Sequence, residues 1–274
     1  MQIIPAALGA LSHISPRLAG DIAHSLWWKL GAPAPVRDTD REIHEKAETS
    51  ELTVDGNRVV TYQWGTGPRV ILLVHGWRSR ASRFAPLIAA LERPDRTIIS
   101  FDAPGNGASG GSRTHVFHYV EAIRQLGERH GEFEAIIGHS FGVLSSFVAV
   151  RRGTPTKRII GIAGMYNLDQ LVEKFSEQAN IGRRAQRRLR NRISRTFDAR
   201  VWREVVAELE PTDIHVPVLL IHDEGDRQVP VGQAALIADA HTGSVDRHIT
   251  EGLGHSRILS DPGVVHRVAQ FVSQ

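Results

Sequence analysis

The chain has 274 residues, 41% of them hydrophobic, with a formal net charge of +3 and no cysteine. That is enough for one large domain, or one domain with an insertion, around a sizeable core. It excludes disulfides, thiol catalysis and cysteine-ligated metals.

No apolar run reaches the ~18 residues of a membrane-crossing helix, and the opening MQIIPAALGALSH lacks the basic start of a secretory signal. The expectation is a soluble, cytoplasmic protein. Leu11, Ile14, Leu18, Ile22 and Leu26, three and four residues apart and followed by Trp27 and Trp28, predict an amphipathic helix. That stripe is expected to dock on the chain's own domain, with peripheral membrane contact or a partner as the alternative. Pro33 and Pro35 in GAPAPVRDTDRE forbid a continuing helix, so residues 1–45 read as a helical segment and a linker.

From residue 51, ELTV and RVVTYQW flank Asp55-Gly56, a hairpin turn signal. RVILLVHG is nearly unbroken in its apolar character, as in a strand buried on both faces. The helical patterns FAPLIAALER, YVEAIRQLGERH and FGVLSSFVAVRR then alternate with RTIISF, FEAIIG and RIIGIAG. Such alternation predicts an α/β protein with a doubly wound, mostly parallel central sheet. It stops after Gly164. Residues 167–210 carry no strand pattern and read as a helical insertion bearing Arg183, Arg184, Arg187, Arg188, Arg190, Arg192 and Arg195, with Ile181, Leu189, Ile193 and Phe197 as apolar contacts. VPVLLIH resumes the sheet, followed by the helix GQAALIADAH, the strand SVDRHIT and the terminal helix PGVVHRVAQFV. The core is therefore assigned to 46–166 and 211–274.

Gly138-His139-Ser140-Phe141-Gly142 matches G-x-S-x-G, between a strand pattern and a helix pattern. In that context small flanking residues let a tight turn expose the serine hydroxyl above the sheet. A serine nucleophile needs a base held by a carboxylate. Asp223 and Asp226 follow a later strand in HDEGDRQVP, and His255 follows the last strand in GLGH.

With VHGW, FDAPGNGAS, GHSFG, HDEGDRQVP and GLGH in this order, residues 51–274 resemble the α/β-hydrolase superfamily. The resemblance implies the α/β-hydrolase fold with the insertion as a helical cap. It implies Ser140 as nucleophile, His255 as general base and Asp226 as the acid, with the backbone N–H groups of Trp77 and Phe141 as oxyanion hole. Asp226 is preferred to Asp223, which stands where the loop pattern H-G-x-x-D-x-x-x-P has glycine; Asp169, after an earlier strand, is a further alternative. His75, Gly76, His139 and Met165 are candidates for the substrate pocket. Among these, His75 is expected to brace its loop and His139 to adjoin Ser140 in sequence alone.

His115, His118 and His222 show no helix-spaced ligand pattern with an acidic partner, so no metal is expected. The glycine-rich FDAPGNGASGGS lacks both phosphate-loop patterns and reads as a tight loop bordering the active site. The arginines lack the interleaved aromatics of single-strand binders, so no nucleic acid is expected. Their helix is either a solvated face or a site for an anionic substrate or membrane surface. The expected function is cofactor-free hydrolysis of a small-molecule carboxylic ester or thioester. The alternative is a non-catalytic or weakly catalytic binder of lipid or anionic ligands. The sequence sets no oligomeric state.

Overall fold

The computed structural model describes residues 3–209, 216–241 and 243–274. The first elements are α1 (Ile3–Ile14), α2 (Pro16–Trp27), α3 (Asp38–Glu45), β1 (Glu48–Val54), β2 (Asn57–Trp64), β3 (Arg69–Val74), α4 (Ala85–Leu91) and β4 (Arg96–Phe101). Then come α5 (Val116–His130), β5 (Ala135–His139), α6 (Phe141–Arg151), β6 (Ile159–Ile162), α7 (Leu168–Gln178), α8 (Arg183–Phe197) and α9 (Val201–Glu204). The last are β7 (Val218–Asp223), α10 (Gly232–Asp239), β8 (Val245–Thr250), α11 (Gly254–Arg257) and α12 (Pro262–Val272).

Two compact units result, Leu30–Tyr166 with Ala207–Gln274, and Met1–Lys29 with Asn167–Val206. The boundary at 210/211 expected for the insertion lies outside the described residues.

The larger unit is built on one eight-stranded sheet in the order β1-β2-β4-β3-β5-β6-β7-β8. The hairpin β1–β2 joins antiparallel to β4, and the remaining contacts are parallel. Val54 pairs with Asn57 around Asp55 and Gly56, whose φ values of 47° and 72° are the two left-handed residues of a type I′ turn. The central strands β5, β6 and β7 are buried at every position, whereas the outer strand β8 is at best half-buried. This is the consequence of helices covering both faces. On one face Ile71, Leu73, Ile137, Ile160 and Ile221 pack with Phe84, Leu87, Val268 and Phe271. On the other lie α5 and α6, and α6 is buried from Phe141 to Val150.

The expected linker is shorter than GAPAPVRDTDRE, because α3 begins at Asp38. Asp38 and Asp40 favour the positive end of that helix, and Arg41 pairs with Asp38. The prolines stop the helix before them but place no limit on one beginning three residues later.

In the smaller unit α2 packs against α8 so closely that a Cβ on Gly20 would lie 2.5 Å from Arg188 Cβ. Only small side chains fit there. Beside that contact α2 buries Ala19, Gly20 and Ala23, and Trp27 is buried at its end, whereas Leu18 and Ile22 on α2 and Ile14, the last residue of α1, are exposed. This corrects the expectation of an inward-docking stripe at Ile14, Leu18 and Ile22, whereas Leu11 and Leu26 are half-buried and Trp27 is buried. Helix α8 buries Ala185, Leu189 and Ile193, and the rings of Trp27 and Trp28 meet Phe175 and Phe197 at 5.2 and 5.3 Å. Asn167 and Val206 bridge where this segment enters and leaves the unit.

Candidate active site

Strand β5 ends at His139, and Ser140 adopts φ 56° and ψ −118° before Phe141 opens α6. Such a conformation costs a non-glycine residue about 1–3 kcal/mol. Its neighbours make the turn fit. A Cβ on Gly142 would lie 2.0 Å from Val74 O, and one on Gly138 would lie 2.7 Å from Val143 Cα. The Ser140 N–H is tied to Ile162 O at 2.9 Å, which anchors the turn on the neighbouring strand.

The loop after β3 reaches the same point, since a Cβ on Gly76 would stand 3.0 Å from Ser140 Cβ. The Trp77 ring meets Phe141 edge-on at 5.4 Å. Among the described residues neither the Trp77 nor the Phe141 backbone N–H makes a hydrogen bond. Phe141 is the first residue of α6, so its amide belongs to the unsatisfied, positive end of that helix.

His75 Nε2 accepts from Ala103 N–H at 2.9 Å, so the proton is on Nδ1, which donates to Gly76 O at 2.7 Å. Burial holds its pKa below the usual histidine range, and the ring is neutral. Tyr119 OH also donates to Gly76 O, at 3.3 Å. Both groups grip the peptide whose other end is the Trp77 N–H.

Asp226 lies in the loop between β7 and α10. Its Oδ1 accepts from the backbone N–H groups of Gln228 and Val229 at 2.7 and 2.9 Å, and its Oδ2 lies 2.7 Å from His255 Nδ1. The imidazole thus donates through Nδ1 and keeps Nε2 as its basic nitrogen. His222 Nε2 stands 3.6 Å from the same carboxylate oxygen. Burial alone would raise the Asp226 pKa; the nearby His222 imidazole and the hydrogen bonds from His255 and the Val229 N–H outweigh it and hold the carboxyl well below the usual range. Asp223 is used differently. It accepts from Thr250 Oγ1, Leu253 N–H and Gly225 N–H, each at 2.9 Å, and so joins the loops after β7 and β8. Asp169 sits in the first turn of α7 and pairs with Arg190 within the helical unit.

His139 is not a neighbour of Ser140 in sequence alone. Its Nε2–H donates to the backbone carbonyl of His255 at 2.9 Å, with the ring centroids 4.9 Å apart. Burial, then the His255 ring, push its pKa down to about 3, so it is neutral. A fully buried imidazole at a strand end must find a partner; that was the available signal, although it could not name His255. Tyr119 had no signal at all, being one apolar-face position of an amphipathic helix.

The structure therefore brings together Asp226 and His255, and His255 with His139. Among the described residues the Ser140 hydroxyl makes no hydrogen bond to His255. Met165, just past β6, is buried. A surface depression of about 380 Å³ borders His255, Gly225, Arg227, Gln228 and Arg257. Ser140 does not line it, so it lies to the side of the serine.

Among the described residues, Asp55, His115 and His118 present donor atoms within 4.8 Å of one another and could hold a metal ion. Asp55 is the acidic partner that helix spacing did not reveal, because it comes from the β1–β2 turn. His118 Nε2 lies 3.3 Å from Asp55 Oδ2, and the two imidazoles are stacked with centroids 3.6 Å apart. As arranged, the trio ties the hairpin to α5.

A family model described as "Alpha/beta hydrolase family" matches residues 71–268. No curated protein matches the chain. Among solved structures, an esterase from Pyrococcus furiosus aligns with TM-score 0.65 at 16% identity, over 89% of this chain and 97% of its own. An esterase from Exiguobacterium antarcticum gives 0.63 at 14%, over 83% and 100%. A bacterial membrane phospholipase A gives 0.63 at 17%, over 100% and 98%. At these identities the likeness is one of fold.

Proposed function

Because this chain belongs to the alpha/beta hydrolase family, we propose that it is a serine hydrolase that cleaves a carboxylic ester or thioester through an acyl-enzyme on Ser140. The observation that carries the reading is the 2.7 Å contact between His255 Nδ1 and Asp226 Oδ2, in the unit that also holds Ser140 in a strained elbow. A carboxylate on Nδ1 fixes the tautomer with Nε2 free to accept a proton, and stabilises the imidazolium that follows.

In this mechanism Ser140 Oγ attacks the acyl carbon as His255 Nε2 takes its proton. The carbonyl π electrons move to oxygen, and the Trp77 and Phe141 N–H groups stabilise that anion. Collapse expels the alcohol or thiol, which takes the proton from His255. Water then attacks the acyl-serine with His255 again as base, releasing the acid and restoring Ser140. The hydroxyl–imidazole contact is one that commonly tightens only with substrate bound. Two of the structural relatives are esterases, in keeping with ester cleavage.

The test is hydrolysis of p-nitrophenyl esters of increasing acyl length. Wild type is expected to turn over at least one of them, and Ser140→Ala to lose roughly 10⁴-fold or more in kcat. Equal rates in the two proteins would refute the reading.

A further inference from the structure

In the helical unit the side chains that a helix normally hides are on the outside. Ile14, Leu18 and Ile22, four residues apart, are 83%, 51% and 37% exposed, and they make up three of the five exposed large hydrophobics among the described residues. Ile14 ends α1, and Leu18 and Ile22 lie on α2, which packs on α8 through other residues; the three have no cover among the described residues. Beside it stands a surface of one charge. Arg188 and Arg192 reach across to Asp21, whereas Arg183, Arg184, Arg187 and Arg195 are exposed and make no ion pair among the described residues.

That placement is unfavourable for the helix itself. Arg183 and Arg184 open α8 at the end where the macrodipole favours anions, and Arg183, Arg184, Arg187 and Arg188 repel one another at three- and four-residue spacings. An external anionic surface would offset both costs. Helices α1 and α2 have 12 residues each, too short to cross a bilayer core, and no described helix is long and apolar enough to do so. A short helix with an apolar stripe and flanking arginines suits the interface instead, where aliphatic side chains enter the acyl boundary and guanidinium groups meet phosphates.

We propose that the helical unit docks on anionic lipid bilayers, with Ile14, Leu18 and Ile22 inserted and Arg183, Arg184, Arg187 and Arg195 on the headgroups. This is independent of the Ser140 chemistry. Two separate features, an uncovered apolar stripe and uncompensated arginines on the adjoining helix, point to the same occupant. A second copy of the chain would bring the same positive charge to the contact.

The experiment is vesicle co-sedimentation, run on full-length Ser140→Ala so that lipid is not consumed. Vesicles are phosphatidylcholine alone or with 30% phosphatidylglycerol. Partitioning is expected to be at least about tenfold stronger onto the anionic vesicles and to fall steeply in 0.5 M NaCl. A Leu18→Ser/Ile22→Ser variant and an Arg183→Gln/Arg184→Gln/Arg187→Gln/Arg195→Gln variant, each with unchanged circular dichroism, should each lose about tenfold. Equal binding to the two vesicle types, no binding, or wild-type binding by either variant would overturn the proposal. So would light scattering in which the Leu18→Ser/Ile22→Ser change splits a dimer and leaves vesicle binding untouched.

Discussion

The side chain of His139 donates a hydrogen bond of 2.9 Å to the backbone carbonyl of His255. The residue before Ser140 thereby holds the main chain of the proposed base. The link predicts a positioning effect. His139→Leu should lower kcat about tenfold with little change in KM, consistent with one lost hydrogen bond of about 0.5–1.5 kcal/mol. His139→Gln, which can still donate, should recover most of it. Steady-state kinetics on one ester checks this, and equal rates for both variants and wild type would contradict it.

The two aspartates after β7 should separate cleanly. Asp226→Asn is expected to lower kcat by roughly 10³–10⁴-fold, since the amide favours the wrong imidazole tautomer. Asp223→Asn should instead lower denaturation midpoints, because Asp223 joins the Thr250 and Leu253 backbone region to its own loop. Parallel kinetics and urea titrations of the two variants distinguish these effects.

Asp226 also predicts an acid limb to stability. Its folded-state pKa is depressed, so its stabilising contribution is complete above the ordinary carboxylate pKa near ~4 and is lost as pH falls below that. Thermal melts between pH 5 and pH 2 should show a steeper fall for wild type than for Asp226→Asn. Identical slopes would contradict the linkage.

Strain at position 140 has its own signature. Glycine tolerates the left-handed φ that serine endures there, so Ser140→Gly should melt above Ser140→Ala by about 1 kcal/mol, roughly 2–3 °C. Gly142→Ala drives a Cβ into the Val74 carbonyl, which is backbone of a central strand and cannot yield. It should cost about 4 kcal/mol or more, seen as loss of soluble folded protein.

Much of this was legible in the chain because it depends on local pattern. Unbroken apolar runs such as RVILLVHG gave the buried parallel strands, Asp55-Gly56 gave the hairpin, and Gly138 and Gly142 marked the turn around Ser140. Three features depend on contacts between distant segments and had no local sign. Gly20 against Arg188 set Leu18 and Ile22 on the outer side of α2. Asp55 met His118 across 63 residues, and His139 met His255 across 116. Helix α3 was missed because its stabilising pairs are charged and carry no apolar period.

The sharpest test is peptide mapping by mass spectrometry after treatment with a fluorophosphonate. Wild type should carry one phosphonyl group per chain, on the peptide containing Ser140, with no adduct in Ser140→Ala and slow labelling in Asp226→Asn. A folded wild-type chain that stays unlabelled, or an adduct on another residue that survives Ser140→Ala, would contradict a nucleophilic Ser140.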